Sequence, residues 1–517
     1  MPTLFQDRCG VSLYDAQYTN RGQKGPIPQD IIEEVLLALK GFKRTCEDFG
    51  VSDVRVVATE ATREAINSAD YRRAIEDATG WKVDMLAKEE EGRVGALGVA
   101  SSFSSIKGFV LDLGGGSIQL TWMVTKDGEA ETSPHGAVSL PYGAAALSRL
   151  LAEVEDEGDQ ATQKLQQKMT DQFKQALHDL KVPSAITDTA KNEGGLALYL
   201  SGGGFRGWGY ILMASHPVQP YPIALINGFH VPISSFLPNN EIQSNVDNSV
   251  FRISSRRASQ VPAVSFLITS LVAALPSISS IYFAQGGLRE GLLFSTLPTS
   301  IRSQHPLVTA TAPFAPSSPE ALVALLHSGI PTKAPPPNSA QKDIHCPPSL
   351  TNPAFLTSTI HLLNAHAPLP KDIRAAAALR STTTGILASA HGLAHEDRAL
   401  LALVLCERWE GELSPTDSDF HDRMQQLVGA RHAWWAKYIG RLARGLGECY
   451  PAGIKGEVRL KLESGWDTLG GGQNVVLKVS GYSGDWVDDL RKLGKKKNRV
   501  GGKDGWGLMV EVVSEPL

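Results

Sequence analysis

The chain has 517 residues, enough for about three domains of ordinary size. Its 42% hydrophobic and 20% charged residues describe a soluble globular protein with ample core, and a formal net charge of -4 excludes a general attraction to nucleic acid or to anionic membrane. Cys9, Cys46, Cys346, Cys406 and Cys449 form no C-x-x-C pair, which excludes a zinc ribbon and a disulfide framework and suits a reducing compartment; the N-terminus has no apolar core of signal-peptide length.

Asp30 to Phe49 carries Ile31, Val35, Leu39, Phe42 and Cys46 at helical spacing, which predicts an amphipathic helix. Val54 to Ala58 is a β-branched run, and the threonines and acids of Thr59 to Ala65 are helix-start chemistry. Asp70 to Thr79 reads as a helix stopped by Gly80, and Val83 to Leu86 as a short strand. Glu89 to Ser101 opens a further helix with three acids at its positive end. Alternating strands and helices predict an α/β fold with a mixed sheet.

Val110-Leu111-Asp112-Leu113-Gly114-Gly115-Gly116-Ser117-Ile118-Gln119-Leu120 then reads as strand, acid, three glycines, hydroxyl, strand. Glycines let backbone N–H groups approach a ligand with no Cβ in the way, and such nests bind phosphate. Asp112 is placed to hold a hard cation such as Mg²⁺ beside it. The plainer alternative is a glycine-rich hairpin whose Asp caps the turn. A second glycine site, Ser201 to Gly207, follows the strand Leu196 to Leu200. It matches G-x-G-x-x-G but has no acid between Gly207 and Asn240, so a phosphate nest or close backbone packing fits better than a dinucleotide site. A third, Gly286-Gly287-Leu288-Arg289-Glu290-Gly291, follows the strand Ile278 to Ala284. No charge lies between Arg257 and Arg289, but Pro262, Pro276 and Gly286-Gly287 interrupt the stretch, so a buried helix (Val261 to Leu275) and a buried strand replace a membrane span.

Pro306 to Pro348, with Pro335-Pro336-Pro337, reads as a Pro/Ala-rich linker holding one helix, Pro319 to His327. Asn352 to Tyr450 is mostly helical. The tail alternates at Val458-Leu460-Leu462 and Val475-Leu477-Val479, with a third run over Leu508 to Val513, so it is β-rich. Arg491-Lys492, Lys495 to Lys497 and Arg499 form a basic patch, read as a solvated loop with anion or nucleic-acid binding as the alternative.

Four segments, Ala58 to Asn67, Glu89-Glu90-Glu91-Gly92-Arg93, Asp112 to Ser117 and Gly286 to Gly291, resemble in order and spacing the exopolyphosphatase/guanosine pentaphosphate phosphatase (Ppx/GppA) family of the actin-like phosphotransferase superfamily. His391 to Leu400 and the β tail are similar to a fungal subgroup acting in retrograde, mitochondria-to-nucleus signalling in the cytoplasm. The resemblance implies an α/β, actin-like (ribonuclease-H-like) two-lobed phosphatase domain, followed by a helical domain and a small β-rich C-terminal domain. Its boundaries are a first lobe at 1–108, a second at 109–300, a linker at 301–350, the helical domain at 351–450 and the β-rich domain at 451–517.

The resemblance further implies Mg²⁺-dependent hydrolysis of a phosphoanhydride bond, with polyphosphate or a phosphorylated nucleotide as ligand, signalling proteins as partners and room for a homodimer. Glu91 takes the position of the family's catalytic glutamate, with Glu90 as the neighbouring candidate; clustering with Glu89 is expected to raise one of their pKa values. Asp112 is the metal residue. Gly114, Gly115, Gly116 and Ser117, Gly286 and Gly287, and the cations Arg63, Arg93 and Arg289 are the phosphate-binding set. Arg289 pairing with Glu290 is the alternative. The family's D-x-G-S-N-S hairpin is missing, Asp7-Arg8-Cys9-Gly10 being the nearest approach at the wrong spacing, so the chain is expected to start after that hairpin and to hydrolyse poorly. His391, His395 and His421-Asp422 read as capping, core or surface residues rather than metal ligands. Two functions compete: a phosphohydrolase, and a signalling protein that senses a phosphorylated ligand in the same cleft.

Overall fold

The computed structural model describes residues 3–18, 23–126, 129–192, 194–239, 253–333, 343–467, 474–502 and 504–516. They form two compact units, one of Pro2–Ser215 with Ile226–Ser303 and the other of His216–Leu225 with Gln304–Leu517.

In the first unit, the amphipathic helix Gln29–Asp48 packs on the helix Ser68–Thr79, which Gly80 ends in the left-handed conformation. Ile32, Tyr71 and Ile75 bury with Val83 beside two parallel strands, β1 (Val56–Ala58) and β2 (Val83–Met85). The helix Lys88–Ala100 follows, with Glu89, Glu90 and Glu91 in its first turn.

A mixed sheet forms the rest of this unit. Strands β3 (Lys107–Leu113), β4 (Ile118–Lys126), β5 (Glu129–Thr132) and β6 (Val138–Leu140) pair antiparallel around β4. Strands β7 (Leu196–Ser201) and β9 (Ile278–Phe283) continue it in parallel from β3, and β8 (His230–Pro232) closes it antiparallel to β9. β3 is apolar on successive residues because Phe109, Val110, Leu111 and Leu113 are all buried, as a strand covered on both faces requires. The expected helix and strand over 261–284 are present as Val261–Ala274 and β9. Among the described residues, no helix is long and apolar enough to cross a membrane.

The helices Lys88–Ala100 and Leu288–Thr296 cross almost backbone to backbone. A Cβ added to Gly98 would lie 2.0 Å from the Gly287 oxygen, one on Gly286 would lie 1.9 Å from the Gly98 oxygen, and one on Gly291 would lie 1.9 Å from the Val94 oxygen. The third glycine site is therefore a packing device.

The second unit has one core. Trp434, Tyr438 and Leu442 of the helix Ala430–Cys449 bury in the same cluster as Leu460, Val475 and Val510 of β10 (Leu460–Trp466), β11 (Asn474–Gly481) and β12 (Met509–Glu515). The helical and β-rich parts thus share a core instead of folding as separate bodies. The linker expected at 301–350 is also corrected in its described part. Helices Pro306–Thr311 and Pro319–Ser328 sink Leu307, Leu322 and Leu326 into that core, as do Ile330 and Ile344 beyond them. Pro335-Pro336-Pro337 lies outside the described residues.

The close helix crossing gives the first test. Gly291→Val is expected to cost roughly 1–3 kcal/mol by overpacking, read as a lower urea midpoint. A midpoint equal to that of the wild type would mean that the helices stand further apart.

Candidate functional site

The three glycines join β3 to β4, and the Gly114 amide closes the hairpin onto the Ser117 carbonyl at 3.0 Å. The helix Ala144–Glu155 starts directly against this turn. Its leading amides donate into the turn's carbonyls: Gly143 to Gly116 (3.1 Å), Ala144 to Gly114 (2.9 Å), and Ala145 and Ala146 to Gly115 (3.0 Å each). Helix starts leave such donors without intrahelical partners, and here the turn satisfies them. The fit needs glycine, since a Cβ on Gly143 would lie 2.4 Å from the Gly115 carbonyl. With their carbonyls engaged, the Gly115 and Gly116 amides make no hydrogen bond among the described residues.

The second glycine site comes to the same place. β7 ends at Gly202, whose φ of +92° and lack of a side chain let it lie against Asp112; a Cβ there would be 2.4 Å from Asp112 Oδ1. The helix Gly203–Ala214 then begins, and Gly203 and Gly204 join Gly114, Gly115 and Ala144 around a cavity of about 460 Å³. Four arginines line it: Arg8, Arg206, Arg257 and Arg289, with Gln6, Asp7 and Gln260. The N-terminus of a helix carries a partial positive charge and free amides, so the helix start and the four arginines favour an anion, with Asp7 the one opposing charge in the lining.

Asp112 sits deep between these segments. Burial raises its carboxyl pKa, and the Arg206 charge offsets part of that rise. No group of three His, Cys, Asp or Glu side chains suited to hold a metal occurs among the described residues. Mg²⁺ is commonly bound through only one or two protein carboxylates, the rest coming from waters and a ligand's own phosphates.

On the far side of the turn, Ser117 Oγ donates to Glu60 Oε2 at 2.7 Å. The backbone N–H of Glu60 faces the Glu91 carboxylate, and Arg63 Nη1 donates to Glu91 Oε2 (3.1 Å) and to the Leu86 carbonyl (2.6 Å). Arg63 Nε and Nη2 are buried with no partner. Burial raises the Glu91 pKa; the Arg63 hydrogen bond and charge oppose it, and the Glu60 charge adds to it.

Several expectations need correction. Like-charge clustering does not set the acids' pKa values. Glu90 is lowered, because Arg93 holds it in a two-pronged pair at 2.8 and 3.0 Å, and Glu91 is raised chiefly by burial. Arg93 is thereby engaged on the surface, and neither it nor Glu90 lines the cavity. Gly286 and Gly287 serve the helix crossing: the Gly286 carbonyl accepts from Ser201 Oγ (2.8 Å), and the Gly287 amide donates to Glu290 Oε2 (2.9 Å). Arg289 reaches the cavity and also lies 3.8 Å from Glu290. His395 is buried and its Nδ1 is 2.7 Å from the Tyr221 hydroxyl.

Sequence reasoning passed over Glu60, Arg206 and Arg257, and dismissed Asp7-Arg8. Arg206 had a signal, since it lies one turn into the helix that Gly202 starts. Glu60 had only its place inside the Thr59 to Asn67 segment, and Arg257 had none.

A family model described as Ppx/GppA phosphatase family matches residues 1–300, and one described as RTG2 C-terminal domain matches residues 305–516. The chain is 39% identical over 473 residues to Retrograde regulation protein 2 of Saccharomyces cerevisiae, a match covering 88% of this chain and 77% of that protein. It is 31% identical over 127 residues to Exopolyphosphatase 1 of Mycobacterium leprae, which is 24% of this chain and 36% of that protein. Among solved structures, the type II variant of the Aquifex aeolicus Ppx/GppA phosphatase matches with a TM-score of 0.39 and 22% identity, over 53% of this chain and 85% of its own.

The state of Asp112 can be read from stability. A carboxyl with a raised folded-state pKa favours the protonated form, so its contribution is lost as pH rises from the ordinary Asp range through the raised value. Asp112→Asn has no such loss. Relative to the wild type it should gain stability in urea denaturation between pH 4 and pH 7.5. A difference that does not change with pH would mean that Asp112 titrates as in water.

Proposed function

The chain belongs to the Ppx/GppA phosphatase family, and on that premise we propose that it is a regulator of the retrograde-signalling type that senses a phosphorylated ligand in the glycine-and-arginine cavity. One observation carries this reading. The free amide of Gly115, the N-terminus of the helix Gly203–Ala214 and four arginines converge there. Guanidinium forks and backbone amides are the donors that phosphate oxygens take best. The lining has no aromatic or branched aliphatic side chain on which a base could stack. The ligand is then a phosphate chain, either polyphosphate or the phosphate end of a nucleotide whose base stays outside.

In this reading the part carrying β1 and β2 and the part carrying the larger sheet are the two lobes of an actin-like fold. Asp112 would hold Mg²⁺ against the phosphate and neutralise its charge. Five free thiols suit a cytoplasmic setting. Signal output to partner proteins falls to the second unit, the part that the RTG2 C-terminal domain model matches.

The pKa of Glu91 favours a second reading, an active Mg²⁺-dependent phosphohydrolase. A carboxylate made more basic by burial is suited to take a proton from an attacking water, and Arg63 would keep it oriented. Glu90, lowered by Arg93, is not suited to that task.

Calorimetry with tripolyphosphate, and phosphate release from polyphosphate and from pppGpp, separate the two. Sensing predicts binding without turnover, and unchanged binding in Glu91→Gln. Catalysis predicts turnover that Glu91→Gln lowers by about 100-fold or more. Under either reading Arg206→Ala should weaken tripolyphosphate binding by roughly tenfold, the loss of one charge-assisted hydrogen bond. Unaltered binding would remove the cavity from consideration.

A further inference from the structure

We propose that a second cavity in the first unit is a binding site for a small monocarboxylate with an aromatic end. The cavity has a volume of about 350 Å³, at the lower end of the roughly 300–1,000 Å³ usual for small-molecule sites. It shares no lining residue with the arginine cavity, so the inference stands apart from the phosphate reading. Phe103 and Phe294 line it, and neither ring is fully buried. Phe103 follows the end of the helix Lys88–Ala100 and Phe294 lies on the helix Leu288–Thr296, so the glycine crossing of those helices sets the places of both rings. Phe103 also packs edge-on against Tyr199 (centroids 5.0 Å apart) and Tyr282 (6.0 Å), which themselves stack at 5.2 Å. An apolar guest therefore meets rings already in position.

The charges in the same lining select the rest of the ligand. Arg302 Nη2 donates to Glu129 Oε1 at 3.1 Å and to the Thr299 hydroxyl at 3.2 Å, so the guanidinium is fixed and Glu129 offsets its charge. Arg302 Nε stays buried with no partner. Lys126 is exposed and makes no ion pair among the described residues. Two cations against one carboxylate leave a single positive charge in the lining, which suits one carboxylate on the ligand. The arginine cavity has four arginines and no ring, the chemistry of a phosphate chain. This one has two rings and one uncompensated lysine, the chemistry of an aryl carboxylic acid.

The test is a set of titrations of the full chain, followed by saturation-transfer NMR, with 3-phenylpropionate, its neutral amide and acetate. The wild type should bind the acid about tenfold more tightly than the amide, the worth of one charge-assisted hydrogen bond. Acetate should bind at least about tenfold more weakly than the acid, for want of the ring. Lys126→Met removes an exposed charge without touching either phenyl ring, and should bring acid and amide to equal affinity. An excess of tripolyphosphate should not displace 3-phenylpropionate. No binding of the acid by the wild type, or an acid-to-amide ratio that survives Lys126→Met, overturns the site. Displacement by tripolyphosphate overturns it too, by placing the ligand on the arginines. Failure of tripolyphosphate itself to bind removes the phosphate reading and leaves this one standing.

Discussion

Every donor at the start of the helix Ala144–Glu155 needs an acceptor, and the glycine turn supplies three carbonyls for four amides. That exchange orients the turn. Once the carbonyls of Gly114, Gly115 and Gly116 face the helix, the Gly115 amide is left unengaged among the described residues, and Gly115 lines the cavity. The requirement for glycine is therefore double. Gly143 must let the helix approach, and the turn itself must expose amides without side chains over them. Gly202 adds the second helix start by lying directly against Asp112. An anion site is thus built chiefly from backbone, with the arginines set around it.

The electrostatics are deliberately unbalanced. Asp112 is half-buried with only the Arg206 charge opposing its raised pKa, and Arg63 keeps two buried donor atoms without partners. Buried groups of this kind cost stability when unpaired. Such groups are not confined to this turn, since Arg398 Nε and Trp486 Nε1 of the second unit are also buried with no partner among the described residues. There the fully buried Arg398 donates to the carbonyls of Thr382, Leu387 and Ala390.

Local pattern made much of this legible. The helices at 29–48 and 68–79 followed from apolar spacing and a glycine stop, and the hairpin at Asp112 to Ser117 from strand, glycines and strand. Composition misled over 301–350, where proline and alanine obscured Leu322 and Leu326, whose spacing of four marks a buried helix face, and Ile330 just past the helix end. Glu60 was hidden for a different reason. Its partner Ser117 is 57 positions away, and no local rule links them.

The three glycine sites show where such reading stops. Each is a buried strand running into glycines, and the same letters serve two physical ends. At Gly114 and Gly115 and at Gly203 and Gly204 the missing side chains leave backbone lining a cavity. At Gly286 and Gly287 they let one helix touch another, because Gly98 happens to lie opposite. What decides between the two is the element packed across from the glycines, and that element is distant in the sequence. A glycine motif therefore specifies close approach. Whether the thing approached is a ligand or the chain itself is settled by the sheet order, which carries β3 and β7 side by side and delivers both turns to one edge.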